Sequence, residues 1–120
     1  MERAVAKELI HMRGWLARVA GIVARGKADY LRDELLQEAG DSPMMKVGEA
    51  ANRLARLEVD APDGIDWAIA VANRNFLIHQ YDSISRELTW LTLFRDLAAW
   101  AMLLSSLFDE ADRSSGASDQ

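Results

Sequence analysis

Apolar residues recur along most of this chain at alternating spacings of three and four, the mark of amphipathic helices rather than strands. From about Glu2 to Ala24, Val5, Leu9, Met12, Leu16, Val19 and Val23 line one face. The segment ARGKAD interrupts the pattern. A second helix over about Asp29 to Glu38 is expected to stop at Gly40, which suits a left-handed helix end. A third should start sharply, with Ser42 as cap and Pro43 in the first helical position. It turns Met44, Val47, Ala51 and Leu54 inward. Gly48 in its middle costs about 1 kcal/mol relative to Ala, which points to close approach by another helix. After the loop EVDAPDG, a fourth helix starts near Asp66 and carries Trp67, Ala70, Val71 and Ile78 on its inner face.

The fifth helix follows Ser85, a good cap, with Glu87 favourably placed for the helix dipole, and runs to about Glu110. Trp90, Leu93, Leu97, Trp100, Leu104 and Leu107 form one stripe. Leu88, Leu91, Phe94, Ala98 and Ala101 form a second stripe beside it. A helix apolar over so wide an arc is either central in a bundle or shared with a second chain. The final stretch, ADRSSGASDQ, is small and polar and is expected to be disordered. The pattern therefore predicts an all-α, up-and-down bundle of about five helices over residues 1–110, with a polar tail over 111–120.

Composition narrows the function more than the fold. At 120 residues, with 50% hydrophobic and 28% charged residues, one domain with one modest core is expected, and a dimer would cover leftover apolar surface. The absence of Cys removes disulfides, thiolate metal sites and a cysteine nucleophile. The charged N-terminus lacks a signal-peptide core, and no apolar run approaches the ~20 residues of a membrane span. A cytoplasmic protein with no membrane partner is the expectation. The net charge of −5 argues against general coating of nucleic acid. A nucleic-acid partner would need a local basic cleft or a restricted target.

Several familiar sites can be set aside. GIVARGKAD has Gly-Lys but neither P-loop spacing nor a preceding strand, and HExxH is missing. His11 and His79 do not make a zinc set, so no metal and no cofactor is expected. His11 reads as a surface or boundary residue, and Trp90 and Trp100 as core or interface rather than stacking platforms. Arg53 and Arg56 with Glu49 and Glu58 read as a solvated face, Glu49 being the ambiguous member because it follows Gly48.

What remains is NRNFLIHQYDSI, Asn73 to Ile84. Arg74 falls between Ala70 and Ile78 at spacing four, on or beside the buried stripe. A buried guanidinium needs an acid, a second chain or an anionic ligand. His79 lies roughly 140° round the helix from it at about 100° per residue, so the helix must bend or a second copy must complete a shared site. Arg and His together suit phosphodiester cleavage without a metal. Arg holds the phosphate and its growing charge. An imidazole, with a reference pKa of about 6.5, moves protons near neutrality. RNA brings its own nucleophile, the 2′-hydroxyl. On pattern alone, a capped and packed helix end is the favoured reading and catalysis the alternative.

Arg74-Asn75-Phe76-Leu77-Ile78-His79-Gln80-Tyr81 resembles the R-X4-H-X-Y motif of HEPN-domain proteins, specifically HepT-like toxins. LRDELLQEAG, MMKVGEAANRL, IDW before the motif helix and the apolar last helix extend the resemblance over about Leu9 to Leu107. It implies a dimerising helical bundle whose two motif copies face one cleft. It implies the toxin of a type VII toxin–antitoxin system, a ribonuclease with Arg74 as phosphate binder, His79 as acid/base and Asn75 as an auxiliary polar residue. The partner it implies is a nucleotidyltransferase antitoxin of the MNT type, which silences the toxin by moving AMP from ATP onto the motif tyrosine, here Tyr81. Gln80 stands where relatives often have Gly. The rival readings are a non-catalytic module that docks the nucleotidyltransferase, and a structural helical dimer in which Arg74 is merely paired.

Overall fold

The computed structural model describes residues 1–79 and 83–118, and for residues 79 and 116–118 the backbone alone. Among the described residues the chain is helical, with no strand. Helix α1 spans Arg3–Val23, α2 Lys27–Arg32, α3 Glu34–Arg56 and α4 Trp67–His79. Helix α5, Arg86–Leu91, passes into a π-helical segment, Thr92–Leu97, and then α6, Ala98–Leu103; α7 is Ser105–Ser118.

Helix α3 lies between α1 and α4, and α7 packs on the other flank of α1. The expected inner stripe of α1 is buried from Val5 to Val19, and Met44, Val47, Ala51 and Leu54 face it from α3. Trp90 and Trp100 are core residues, packed near Tyr30 and edge-on to Trp67 respectively. On α4 the inner residue near the C-terminal end is Leu77, not Ile78, which is 42% exposed.

The break expected at Gly40–Ser42–Pro43 is absent. Helix α3 starts nine residues earlier, where Asp33 Oδ1 accepts from the Leu35 amide at 2.9 Å, and runs on through Pro43. Gly40 acts by its size rather than its flexibility: an added Cβ would come within 2.9 Å of Leu93 Cδ1. Pro43 forfeits one backbone hydrogen bond, but tertiary contacts hold the helix on both sides of it. Pro43, Met44 and Val47 are buried, and Asp41 makes a two-pronged pair with Arg86 at 2.7 and 3.0 Å. The chain therefore breaks earlier, between Arg32 and Glu34, where Gln37 Nε2 donates to the Tyr30 and Leu31 carbonyls.

Ser85 caps α5 as expected, its Oγ accepting from the Leu88 amide at 3.4 Å. The long fifth helix is instead interrupted twice, by the π-helical segment and by a bend of 52° at Leu104. The bend shifts the inner stripe by one residue, so Phe108 is buried where Leu107 was expected. The second stripe is left open in the single chain: Leu88, Leu91 and Phe94 are 57%, 40% and 54% exposed. The helical part also does not end at Glu110. Ala111 is fully buried and Asp112 pairs with Arg13 at 2.6 and 2.8 Å, which carries α7 on to Ser118. No single helix among the described residues is long and apolar enough to cross a membrane.

Candidate functional site

The close approach expected at Gly48 occurs, and it is made by the motif helix. A Cβ at Gly48 would lie 2.5 Å from Arg74 Cβ and 2.7 Å from the Ala70 carbonyl oxygen. Helix α4 thus rests on α3 with its Ala70–Arg74 turn seated in the notch left by a missing side chain. Asp66 Oδ1 accepts from the Ala68 amide at 2.9 Å to start α4, and Trp67 Nε1 donates to the Val59 carbonyl at 2.9 Å, which ties its first turn to the preceding loop.

This seating decides where Arg74 goes. Its side chain is 32% exposed, at the edge of the buried stripe, and its Nε is buried. The next residue of α3, Glu49, brings Oε1 to 3.7 Å from that Nε, too far for a hydrogen bond and near enough for charge attraction. Nη1 donates to Asn75 Oδ1 at 3.0 Å. A pair this exposed contributes little stability, on the order of 1 kcal/mol or less. Its consequence is orientation: Glu49 faces Nε without occupying an Nη donor, and Nη1 is held by Asn75. Asn75 is exposed.

Helix α4 remains α-helical through His79. Positions 74 and 79 therefore lie about 140° apart round its axis, and no bend within the helix brings them together. Tyr81 and Gln80 fall outside the described residues. Among the described residues, no three His, Cys, Asp or Glu side chains gather as a metal ion would need. His11 is exposed on α1, its ring 5.8 Å from that of Trp15.

A second polar group, not singled out in the sequence, anchors the far side of the motif loop. Asp41 and Arg86 are largely buried, and Tyr30 Oη meets Thr89 Oγ1 at 2.5 Å. Arg86 is held above its ordinary value, first by its hydrogen bond to Asp41. Burial pushes the Tyr30 phenol up. Arg86 opens α5, so this cluster fixes the point at which the chain returns from the motif to the core. The sequence held a signal for it: Asp41 lies one helical turn before Met44 and Met45, on a stripe that would bury an acid, and a buried acid requires a partner. Reading a loop there concealed it.

A groove of about 310 Å³ runs beside α4, lined by Asn73, Phe76, Leu88, Leu91 and Arg95 among others. It lies on the other side of the motif helix from Glu49, and Arg95 in its wall belongs to the π-helical segment.

No curated protein and no solved structure matches the chain. The family described as ribonuclease HepT-like matches over residues 12–107, from the middle of α1 to the first turn of α7, and so takes in α3, the motif helix and the apolar helices that follow. The chain belongs to the HepT-like ribonuclease family.

Proposed function

We propose that this protein is the toxin of a type VII toxin–antitoxin pair: a metal-independent endoribonuclease acting through Arg74 and His79, as a homodimer, on messenger or transfer RNA. Membership of the HepT-like ribonuclease family supports ribonuclease activity. The observation that carries the residue-level reading is Arg74 itself. It is a partly exposed guanidinium seated by Gly48, with Glu49 3.7 Å from its Nε and Nη1 donating to the exposed Asn75.

In this mechanism the RNA 2′-oxygen attacks the adjacent phosphorus. The new O–P bond forms as the bond to the 5′-oxygen breaks, leaving a cyclic phosphate and a free 5′-hydroxyl. Arg74 binds the phosphate and offsets the charge that accumulates on its oxygens. His79 moves the proton, from the 2′-hydroxyl or to the leaving oxygen. The separation of positions 74 and 79 round one straight helix favours a site to which two chains contribute. The open stripe of Leu88, Leu91 and Phe94 is an apolar surface that a second chain would cover.

Silencing is proposed at Tyr81. An MNT-type nucleotidyltransferase joins the phenolic oxygen to the α-phosphorus of ATP, breaking the bond to the β-phosphate and releasing pyrophosphate. Purified protein incubated with cellular RNA in EDTA should cleave it. Prior treatment with the antitoxin, ATP and Mg²⁺ should add AMP mass to the peptide containing Tyr81 and stop cleavage. Intact RNA together with tight nucleotidyltransferase binding would instead identify a non-catalytic docking module.

A further inference from the structure

The outer face of α1 carries three cations and no acid, although the chain has a net charge of −5. At about 100° per residue, positions 3, 7, 11, 14, 18 and 21 fall within about 80° of arc. They are Arg3, Lys7, His11, Gly14, Arg18 and Gly21, and every one is exposed. No acid shares the arc: Glu8 pairs with Arg53 on another side, and Asp112 of α7 pairs with Arg13, also outside it. Among the described residues, Arg3, Lys7 and Arg18 have no carboxylate within ion-pair distance; Lys46, Arg56 and Arg113 share that state but lie on other helices. Three of these side chains, Arg3, Lys7 and His11, also border a cleft of about 400 Å³ against Ser114 and Ser115 of α7.

The glycines add a second, separate observation. Gly in a helix interior costs about 1 kcal/mol relative to Ala. Gly48 and Gly40 are explained by what touches them. A Cβ at Gly14 or Gly21 would meet nothing within 4 Å, so the protein's own packing does not require either. Flat positions between long cations let an external backbone come close to the helix.

We infer that this face of α1 is a docking track for the phosphate backbone of single-stranded RNA, separate from the Arg74 site; the inference rests on the ribonuclease reading. Charge complementarity selects a polyanion. The arc contains no large apolar side chain to insert into a bilayer, which favours a strand lying along the helix over a membrane surface.

The test uses the full-length chain in a His79→Ala background, so that RNA survives, and a labelled single-stranded RNA. Arg3→Glu, Lys7→Glu and Arg18→Glu are combined; all three residues are exposed, and an unchanged circular dichroism spectrum checks the fold. Binding should weaken at least tenfold at low salt. The dependence of log affinity on log salt should become shallower by about two, from three lost contacts at roughly 0.7 each. Gly14→Leu and Gly21→Leu should weaken binding several-fold without lowering Tm. Unchanged affinity and salt slope in the charge-reversed protein would overturn the track, as would binding of phosphatidylserine vesicles through this face with RNA binding indifferent to it. If the wild type cleaves RNA while the face proves irrelevant, the ribonuclease reading stands and this inference falls. If RNA binds along the face but is never cleaved, the track stands and the ribonuclease reading falls.

Discussion

At Gly48 two helices meet through a position with no side chain, and the consequence reaches Arg74. Restoring a Cβ there would place it 2.5 Å from Arg74 Cβ and 2.7 Å from a backbone oxygen, neither of which can swing aside. Gly48→Ala should therefore destabilise the fold by about 1–3 kcal/mol despite the better helix propensity of Ala, read as a lowered Tm. It should also lower RNA cleavage, because α4 must shift and carry Arg74 away from Glu49. Gly14→Ala is the control on the exposed face of α1, where the same change meets open space and should raise Tm slightly. At this scale the sequence was informative. A glycine in mid-helix implied a neighbour, and Arg74 at spacing four implied the edge of the buried stripe. The identity of the neighbour was not legible, because nothing local ties residue 48 to residue 74. Glu49 remained ambiguous for the same reason.

Among elements, the errors share one cause: tertiary contacts overrode local signals. Gly40, Ser42 and Pro43 spell a helix boundary, yet α3 continues through them because Asp41 is clamped by Arg86 and Gly40 makes room for Leu93. Asp41→Ala would leave Arg86, whose side chain is only 21% exposed, without its partner. A loss on the order of 2 kcal/mol is expected, between the values for exposed and fully buried pairs, measured by chemical denaturation. The neighbouring Tyr30 sets a pH dependence. Its phenol ionises with more difficulty in the folded state than its ordinary value of 10.0. The unfolded chain therefore releases the proton first, and this contribution to stability is complete below about pH 10 and is lost as pH rises above it through the folded value. The denaturation midpoint should fall in that alkaline window, and Tyr30→Phe should flatten the fall. The polar composition of residues 111–120 likewise concealed the contacts made by Ala111 and Asp112.

For the whole molecule, class and general architecture were legible because helical periodicity is long-range and redundant: six inner positions of α1 outweigh any one misread cap. The assembly was not, because an exposed apolar stripe has the same pattern whether it faces its own bundle or another chain. Leu88, Leu91 and Phe94 lie on the open side of the chain. If a second copy covers them, Phe94→Glu should leave a folded monomer in sedimentation velocity, with RNA cleavage reduced in proportion to the lost dimer. A wild-type chain that sediments as a monomer across the micromolar range would count against a shared site.

The central claim is that Arg74 and His79 carry out cleavage of RNA without a metal. The most direct measurement is the single-turnover cleavage rate in EDTA for the wild type, Arg74→Ala and His79→Ala, each confirmed folded by circular dichroism. The wild type should cleave, and each substitution should lower the rate at least about 100-fold, the scale of losing a proton-transfer group or a transition-state donor. Two folded variants that cleave RNA at the wild-type rate would contradict the account.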